Sequence, residues 1–359
     1  MSARLDKKHS RSFSRIFTPI LGILSLVFVI SVALLIMGLA LASINDKPTG
    51  SIGVDGTPFA VRQGESGMSV ARRLTQDGLI RSEYLFRILM KAKGLEQSLK
   101  AGNYLIAPDM TASDILTMIA DGRQILLRMT VPEGAGVRAI ARIAEAVGVA
   151  TSDQLLAAVY DTGLAGRLGL GAQSSAGYLF PDTYLLPQSA GGEAVVTLMV
   201  ETFKKRLAER VPESTSLSPQ MLHERVVLAS IVEREYRVPE EAPMMASVFL
   251  NRLRIGMALQ SCATVVYVIT EELGKPHPTR LFDRDLKIES PFNSYMYPGL
   301  PPEPICNPGL TALSAVLRPE KTGYLYFRLV DEESGKHYFS ASLDEHIRAA
   351  SLAVKPKSP

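Results

Sequence analysis

The stretch that most constrains this chain is Val226 to Val232, VVLASIV, followed at once by Glu233, Arg234 and Glu235. As a helix it is apolar or small on every side, and such a helix must be enclosed by other elements rather than lie on a surface. The fold therefore needs layers above, below and beside this segment. At about 100° per residue, Glu233 continues the stripe of Val226, Ala229 and Ser230, whereas Glu235 turns to the other side. Glu233 is thus the acid expected to face inward. Two outcomes are open for it: a carboxylate paired with a nearby arginine or reaching solvent at the helix end, or a general acid kept protonated by apolar walls.

The chain has 359 residues, 47% of them hydrophobic, enough for two domains with sizeable cores. A net charge of +3 gives no reason to expect nucleic acid as a partner. The histidines at 9, 223, 277, 337 and 346 show no metal-ligand spacing, and no phosphate-binding glycine motif occurs. No metal and no cofactor are expected. Cys262 and Cys306 are too few for a disulfide framework.

Residues 1–18 form a basic tail, with Arg4, Lys7, Lys8, Arg11 and Arg15 against Asp6. Ile20 to Ile44 carries no charge, and an apolar run of this length can cross about 30 Å of hydrocarbon as a helix. A transmembrane helix is expected over 19–44. Its basic flank comes first, which places the N-terminus in the cytoplasm and the rest of the chain outside. Cleavage as a signal peptide after Ala40-Leu41-Ala42 is the alternative, but the run is longer than a typical signal core. Residues 45–57 read as a polar linker.

Over 58–124 the pattern is strand, helix, helix, strand, helix. Gly78, Gly94 and Gly122 act as stops, and Thr111 with Asp114 forms a capping box. From 125 to 355 the elements are mixed. A strand lies over 125–132, and helices over Val137–Ala146, Glu193–Arg210, Ala242–Arg254 and Thr311–Leu317. A hairpin turns at EESGK, and a short helix closes the chain. Ala165 to Ser175 reads as a glycine-rich loop. PFNSYMYPGLPPEPICNPG, from Pro291, holds too much Pro and Gly for regular structure yet carries Asn293, Tyr295, Tyr297 and Asn307. Amides and aromatic faces on a rigid loop suit a sugar; a proline-held structural wrap is the other reading.

The ordered series IVERE, ASVFLNRL, GMALQS, NSY and GLPPEPICNPG resembles the YceG-like family of endolytic murein transglycosylases, as does SAGYLFPDTYLLP from Ser175. The resemblance implies an α+β chain with a single N-terminal transmembrane helix, a small LysM-like α/β domain and a larger mixed α/β catalytic domain. KAGNY, ending at Tyr104, matches the LysM-like domain, which either binds glycan or serves as a spacer. The implied catalytic acid is Glu233, with Gln260, Ser261, Asn293, Tyr295 and Asn307 facing the glycan. The implied reaction cleaves the MurNAc–GlcNAc β-1,4 bond of nascent strands, leaves 1,6-anhydro-MurNAc ends and terminates elongation at the inner membrane. The implied partners are peptidoglycan strands, peptidoglycan synthases (penicillin-binding proteins) and, through 19–44, membrane lipid.

Two positions depart from the family pattern: Ala176 stands where the family has Glu, and Cys262-Ala263 where it has Asp-Pro. Three alternatives stay open. They are a muramidase-type hydrolase using Glu235, Asp283 or Asp285 as second carboxylate, a non-catalytic cell-wall scaffold, and an enzyme of another polysaccharide. Cys262 and Cys306 lie in segments expected to approach each other, so they either pair or remain two small thiols.

Overall fold

The computed structural model describes residues 23–34, 36–38 and 56–352. Helix α1, over residues 23–34 and 36–38, leaves its large apolar side chains exposed. Among the described residues no helix is long and apolar enough to cross a membrane. The basic tail over 1–18 lies outside the described residues, as do most of the 45–57 linker and parts of the 19–44 span. The chain divides into two compact units, 1–125 and 126–359. Among the described residues the fold is mixed α/β with three two-stranded sheets.

In the first unit the order is β1 (Thr57–Val61), α2 (Gly67–Gln76), α3 (Glu83–Ala92), β2 (Gly102–Ile106) and α4 (Ala112–Asp121). Each helix starts at a side-chain cap: Ser66 accepts from the Ser69 N–H, Ser82 from the Leu85 N–H, and Thr111 forms the expected box with Asp114. Gly122 ends α4 in the left-handed region, at φ 75°. The strands pair antiparallel with Phe59 opposite Tyr104. Both rings join Val70, Leu74, Phe86, Ile115 and Ile119 in one core. Tyr104 is fully buried, and its hydroxyl is satisfied by donating to the Lys100 carbonyl at 2.7 Å.

The second unit begins with β3 (Leu126–Thr130), α5 (Val137–Val147), α6 (Ser152–Val159), α7 (Thr162–Arg167) and β4 (Thr183–Pro187). It continues with α8 (Gly192–Arg210), α9 (Pro219–Glu233), α10 (Ala242–Arg254) and α11 (Cys262–Tyr267), the last running into a π turn over Val268–Glu272. Then come α12 (Leu310–Leu317), β5 (Tyr326–Asp331), β6 (Lys336–Ser340) and α13 (Leu343–Arg348). β3 pairs antiparallel with β4, Met129 opposite Tyr184, and β5 with β6, Phe327 opposite Phe339.

Helix α9 occupies the place its sequence demands. Ser218 caps it, Pro219 fills the first turn, and Val226 through Val232 are each at most 2% exposed. It packs against α10 and α12 within one core that also takes in Tyr178, Phe203 and Phe249. Burying each Val, Leu or Ile here contributes about 1.5–3 kcal/mol. Ser230, the polar residue in this stretch, is satisfied twice: its Oγ donates to the Val227 carbonyl at 2.7 Å and accepts from the Ile305 N–H at 3.0 Å. That second bond ties the Pro-rich loop to the helix.

One local expectation changes, and two points the sequence left open are decided. The glycine-rich loop is shorter than expected, because Ala165 belongs to α7, which Asp161 caps through two backbone N–H groups. Thr183–Pro187 is a strand, and Cys262–Tyr267 a helix; both are short and gain their definition from partners distant in sequence. Finally, the cysteines do not pair. Cys262 is exposed and its Sγ lies 3.2 Å from the Tyr295 hydroxyl, whereas Cys306 is buried and donates to the Ser230 carbonyl.

Candidate active site

At the end of α9 the two carboxylates part to opposite sides, Glu233 as the last helical residue and Glu235 in the turn that follows. Glu235 accepts from the Ser261 hydroxyl and from the Ala263 N–H, so it serves as a cap for the first turn of α11. Burial raises its pKa against those hydrogen bonds. Glu233 goes the other way, toward the loop before α12. Its Oε2 accepts from the Gly309 N–H at 3.0 Å, and the Tyr236 hydroxyl stands 3.5 Å from each oxygen, at the limit of hydrogen-bonding reach.

Glu233 is in no ion pair among the described residues, and its pKa is pushed up to about 7. Desolvation is the main cause, and the charge of Glu133 adds to it. The Gly309 N–H, Tyr236 and the charge of Arg234 pull the other way and are outweighed. Near neutral pH the group is therefore present in both protonation states, as an acid that must donate and later accept a proton requires.

Glu133 reaches this site from the segment between β3 and α5. A Cβ built on Gly309 would stand 2.0 Å from its Oε1, so the carboxylate fills the space that a side chain at 309 would take. Gly134 is held at φ 69°, and a Cβ there would lie 3.5 Å from the Glu233 Cγ. This turn is pinned by paired backbone bonds: the Gly134 N–H donates to the Asn307 carbonyl, and the Asn307 N–H to the Ala135 carbonyl, both at 3.0 Å. Gly134 and Arg234 also line a cleft of about 560 Å³, with Tyr267, Ile305 and Cys306 among its walls. Glu233 thus adjoins an open cleft through its neighbour in sequence and its neighbour in space.

The structure places the five expected glycan-facing residues elsewhere than in one groove with Glu233. Asn293 and Asn307 are fully buried and their amides are committed. Asn293 donates to the Leu286 and Ile288 carbonyls and accepts from the Tyr295 N–H. Asn307 donates to the Ala135 carbonyl and accepts from the Leu179 N–H. In place of sugar contacts they supply the backbone pairing that an irregular buried loop cannot make for itself.

Gln260, Ser261 and Tyr295 line a second hollow, of about 330 Å³, together with Glu235, Arg252 and Tyr326. Gln260 is exposed, at φ 49°; Ser261 is buried and engaged by Glu235. Neither Asp283 nor Asp285 is in this environment: Asp283 is exposed, and Asp285 accepts from the Phe282 N–H at 2.8 Å. The carboxylate acting on Glu233 is Glu133, whose part in the site sequence reasoning missed. The glycine beside it was the only local signal that the chain passes close to something there.

Asn251 and Arg252 are likewise structural. Asn251 donates to the Thr322 and Tyr324 carbonyls, and Arg252 to those of Leu325 and Leu259. Ala176 is buried beside Gly177, Pro304 and Glu271, and supplies no charge. Cys262, at the other departure, stands in the hollow with Glu235.

Removing the Glu133 charge should lower the Glu233 pKa, because like-charge repulsion disfavours the ionised form. An acid must be protonated to donate, so its rate falls as pH rises through that pKa. In Glu133→Gln this fall is expected about half a pH unit lower than in the parent chain. Rates of glycan cleavage measured from pH 5 to 9 check it; an unmoved profile would detach Glu133 from the acid.

The YceG-like family model matches residues 59–351. The chain is 29% identical over 315 residues to the endolytic murein transglycosylase of Bacillus subtilis (strain 168), covering 83% of this chain and 85% of that protein. It is 27% identical over 331 residues to the endolytic murein transglycosylase of Streptococcus pneumoniae (strain D39), covering 83% of this chain but 58% of that longer protein. The crystal structure of a yceG-like protein from Listeria monocytogenes superposes with a TM-score of 0.53 at 29% identity, covering 82% of this chain and 99% of that one. With the greater part of its length matched by the family model, and the motifs around Glu233 in order, the chain belongs to the YceG-like family.

Proposed function

We propose that this chain is an endolytic murein transglycosylase with Glu233 as its acid and base. The observation that carries the reading is the state of Glu233: a half-buried carboxyl in no ion pair, with a pKa of about 7, whose neighbours Arg234 and Gly134 line an open cleft. The family membership and the names of the Bacillus and Streptococcus relatives support the substrate.

In the proposed reaction the protonated Glu233 donates its proton to the oxygen of the MurNAc–GlcNAc β-1,4 bond as the C1–O bond breaks. The resulting carboxylate, retained by the Gly309 N–H, then accepts the proton of the same sugar's C6 hydroxyl. That oxygen closes on C1 to give a 1,6-anhydro-MurNAc end. No water is consumed, and the acid is restored for the next turnover.

A hydrolase is the second reading, and Glu133 is the observation that favours it, since hydrolytic glycosidases use a pair of carboxylates. Mass spectrometry of digested strands separates the two. Anhydro ends, with no ¹⁸O taken up from labelled water, are expected here; reducing ends carrying ¹⁸O would replace the transglycosylase by a muramidase.

The same proposal includes the setting. Residues 19–44 anchor the chain in the inner membrane with its N-terminus in the cytoplasm, which confines the enzyme to newly made strands and sets their length. The first unit, in the LysM-like position, binds glycan or orients the second, and peptidoglycan synthases are the partners. The length of the apolar run and its basic flank support the anchor.

A further inference from the structure

The cleft beside Glu233 is strongly cationic. Arg138 and Arg142 enter it from α5, Arg234 from the residue after the candidate acid, and Lys275 from the segment after the π turn. One acid, Glu271, shares the lining; its Oε2 lies 3.7 Å from Arg138 Nε, and its backbone carbonyl accepts from the same nitrogen at 3.2 Å. Among the described residues Arg142, Arg234 and Lys275 are in no ion pair.

Three cations outside any ion pair, from separate segments around one concavity, repel each other and focus a positive field into it. Burial does not force this arrangement, because all three residues are exposed. The cavity of about 560 Å³ is of ligand size. Two of its lining residues adjoin the candidate acid: Arg234 follows it in sequence, and Gly134 packs on its side chain.

We infer that this cleft is a subsite for an anionic group carried by the glycan, so that the enzyme acts on charged strands in preference to bare polysaccharide. The inference rests on the proposed function and deepens it. Guanidinium groups bind carboxylate and phosphate oxyanions bidentately, so two sources of the anion fit the same chemistry. One is the carboxylates of the peptide stem, present on each muramic acid and hence next to any bond that Glu233 could reach. The other is the pyrophosphate joining a nascent strand to its lipid carrier, present at the strand end alone.

The experiment compares four substrates of matched length: strands with stems, strands stripped by an amidase, lipid-linked strands, and the same strands released by hydrolysis of their pyrophosphate. Affinity is read by titration into the full chain carrying Glu233→Gln, which does not cleave, and kcat/KM is read in the parent chain. Stemmed strands are expected to bind about tenfold more tightly than stripped ones. Adding Arg142→Gln and Lys275→Gln should bring that ratio near one, with the melting temperature as control for folding. A ratio governed by the pyrophosphate instead would support the subsite and assign its anion to the lipid-linked end. Equal affinity for all strands, or a preference that survives the double substitution, would overturn the inference. Preferential binding of charged strands by a parent chain that cleaves none of them would keep the subsite and sink the catalytic proposal.

Discussion

Glu233→Gln is expected to reduce glycan cleavage by about 10²–10⁴-fold while leaving the fold intact. The amide keeps the size of the side chain and its oxygen can still accept from the Gly309 N–H, so strand binding should persist. What disappears is the transferable proton. The same substitution carries a stability signature that separates lost chemistry from lost structure. Glu233 is held at about 7 against an ordinary value of 4.5. A carboxyl raised in the folded state favours folding below its unfolded pKa, and that advantage is lost as pH rises from about 4.5 through 7. Above pH 7 the ionised acid disfavours the native state by up to about 3 kcal/mol. The glutamine variant should therefore match the parent in stability near pH 4 and exceed it near pH 8. Chemical denaturation at the two pH values measures this. Equal stability at both would show that burial does not penalise the ionised acid, and retained activity would show that Glu233 is not catalytic.

Asn307→Ala should do the opposite, costing stability first and activity as a consequence. Its amide accepts from the Leu179 N–H at 2.9 Å and donates to the Ala135 carbonyl at 2.9 Å, all in the interior. Truncation strands the Leu179 N–H without water, at about 1–3 kcal/mol, while the Ala135 carbonyl keeps the Asn307 backbone N–H as its donor. Ala135 follows Gly134 in the turn that lies against Glu233, and Gly309 is two residues beyond Asn307. The two segments that place the acid's neighbours would therefore loosen together. A loss of about 1–3 kcal/mol is expected, with the Glu233 pKa falling as water enters. Denaturant unfolding and the pH–rate profile test it. An Asn307→Ala chain of parental stability with a raised KM alone would return this residue to the glycan-binding role.

The contrast between these two residues shows how far the sequence could be read. Glu233 was legible because a helix imposes one period on everything it contains: the apolar run demands burial, and the position of each carboxylate follows from its angle. The capping box at Thr111 and the stop at Gly122 were legible for the same reason, since cap and partner are three residues apart. The loop from Pro291 to Gly309 imposes no period. An amide there is equally suited to a sugar hydroxyl and to an orphaned peptide group, and the three-dimensional path of the chain decides which it meets. Asn293 and Asn307 met backbone. Glu133 escaped notice because its relation to Glu233 crosses a hundred residues of chain and exists through the bare Cα of Gly309.

The fork at the end of α9 has a consequence for how this segment can vary. One carboxylate secures the start of α11, its sister two positions on the amino side carries the proposed chemistry, and both depend on the angle at which the helix ends. Side chains of similar bulk can be exchanged along Val226–Val232 at moderate cost. A single residue inserted or deleted between Val226 and Glu233 would rotate the point at which both acids leave the helix by about 100°, turning the proton donor away from its present neighbours. Lineages carrying this fold should therefore tolerate drift in the letters of the segment far better than any change in its count.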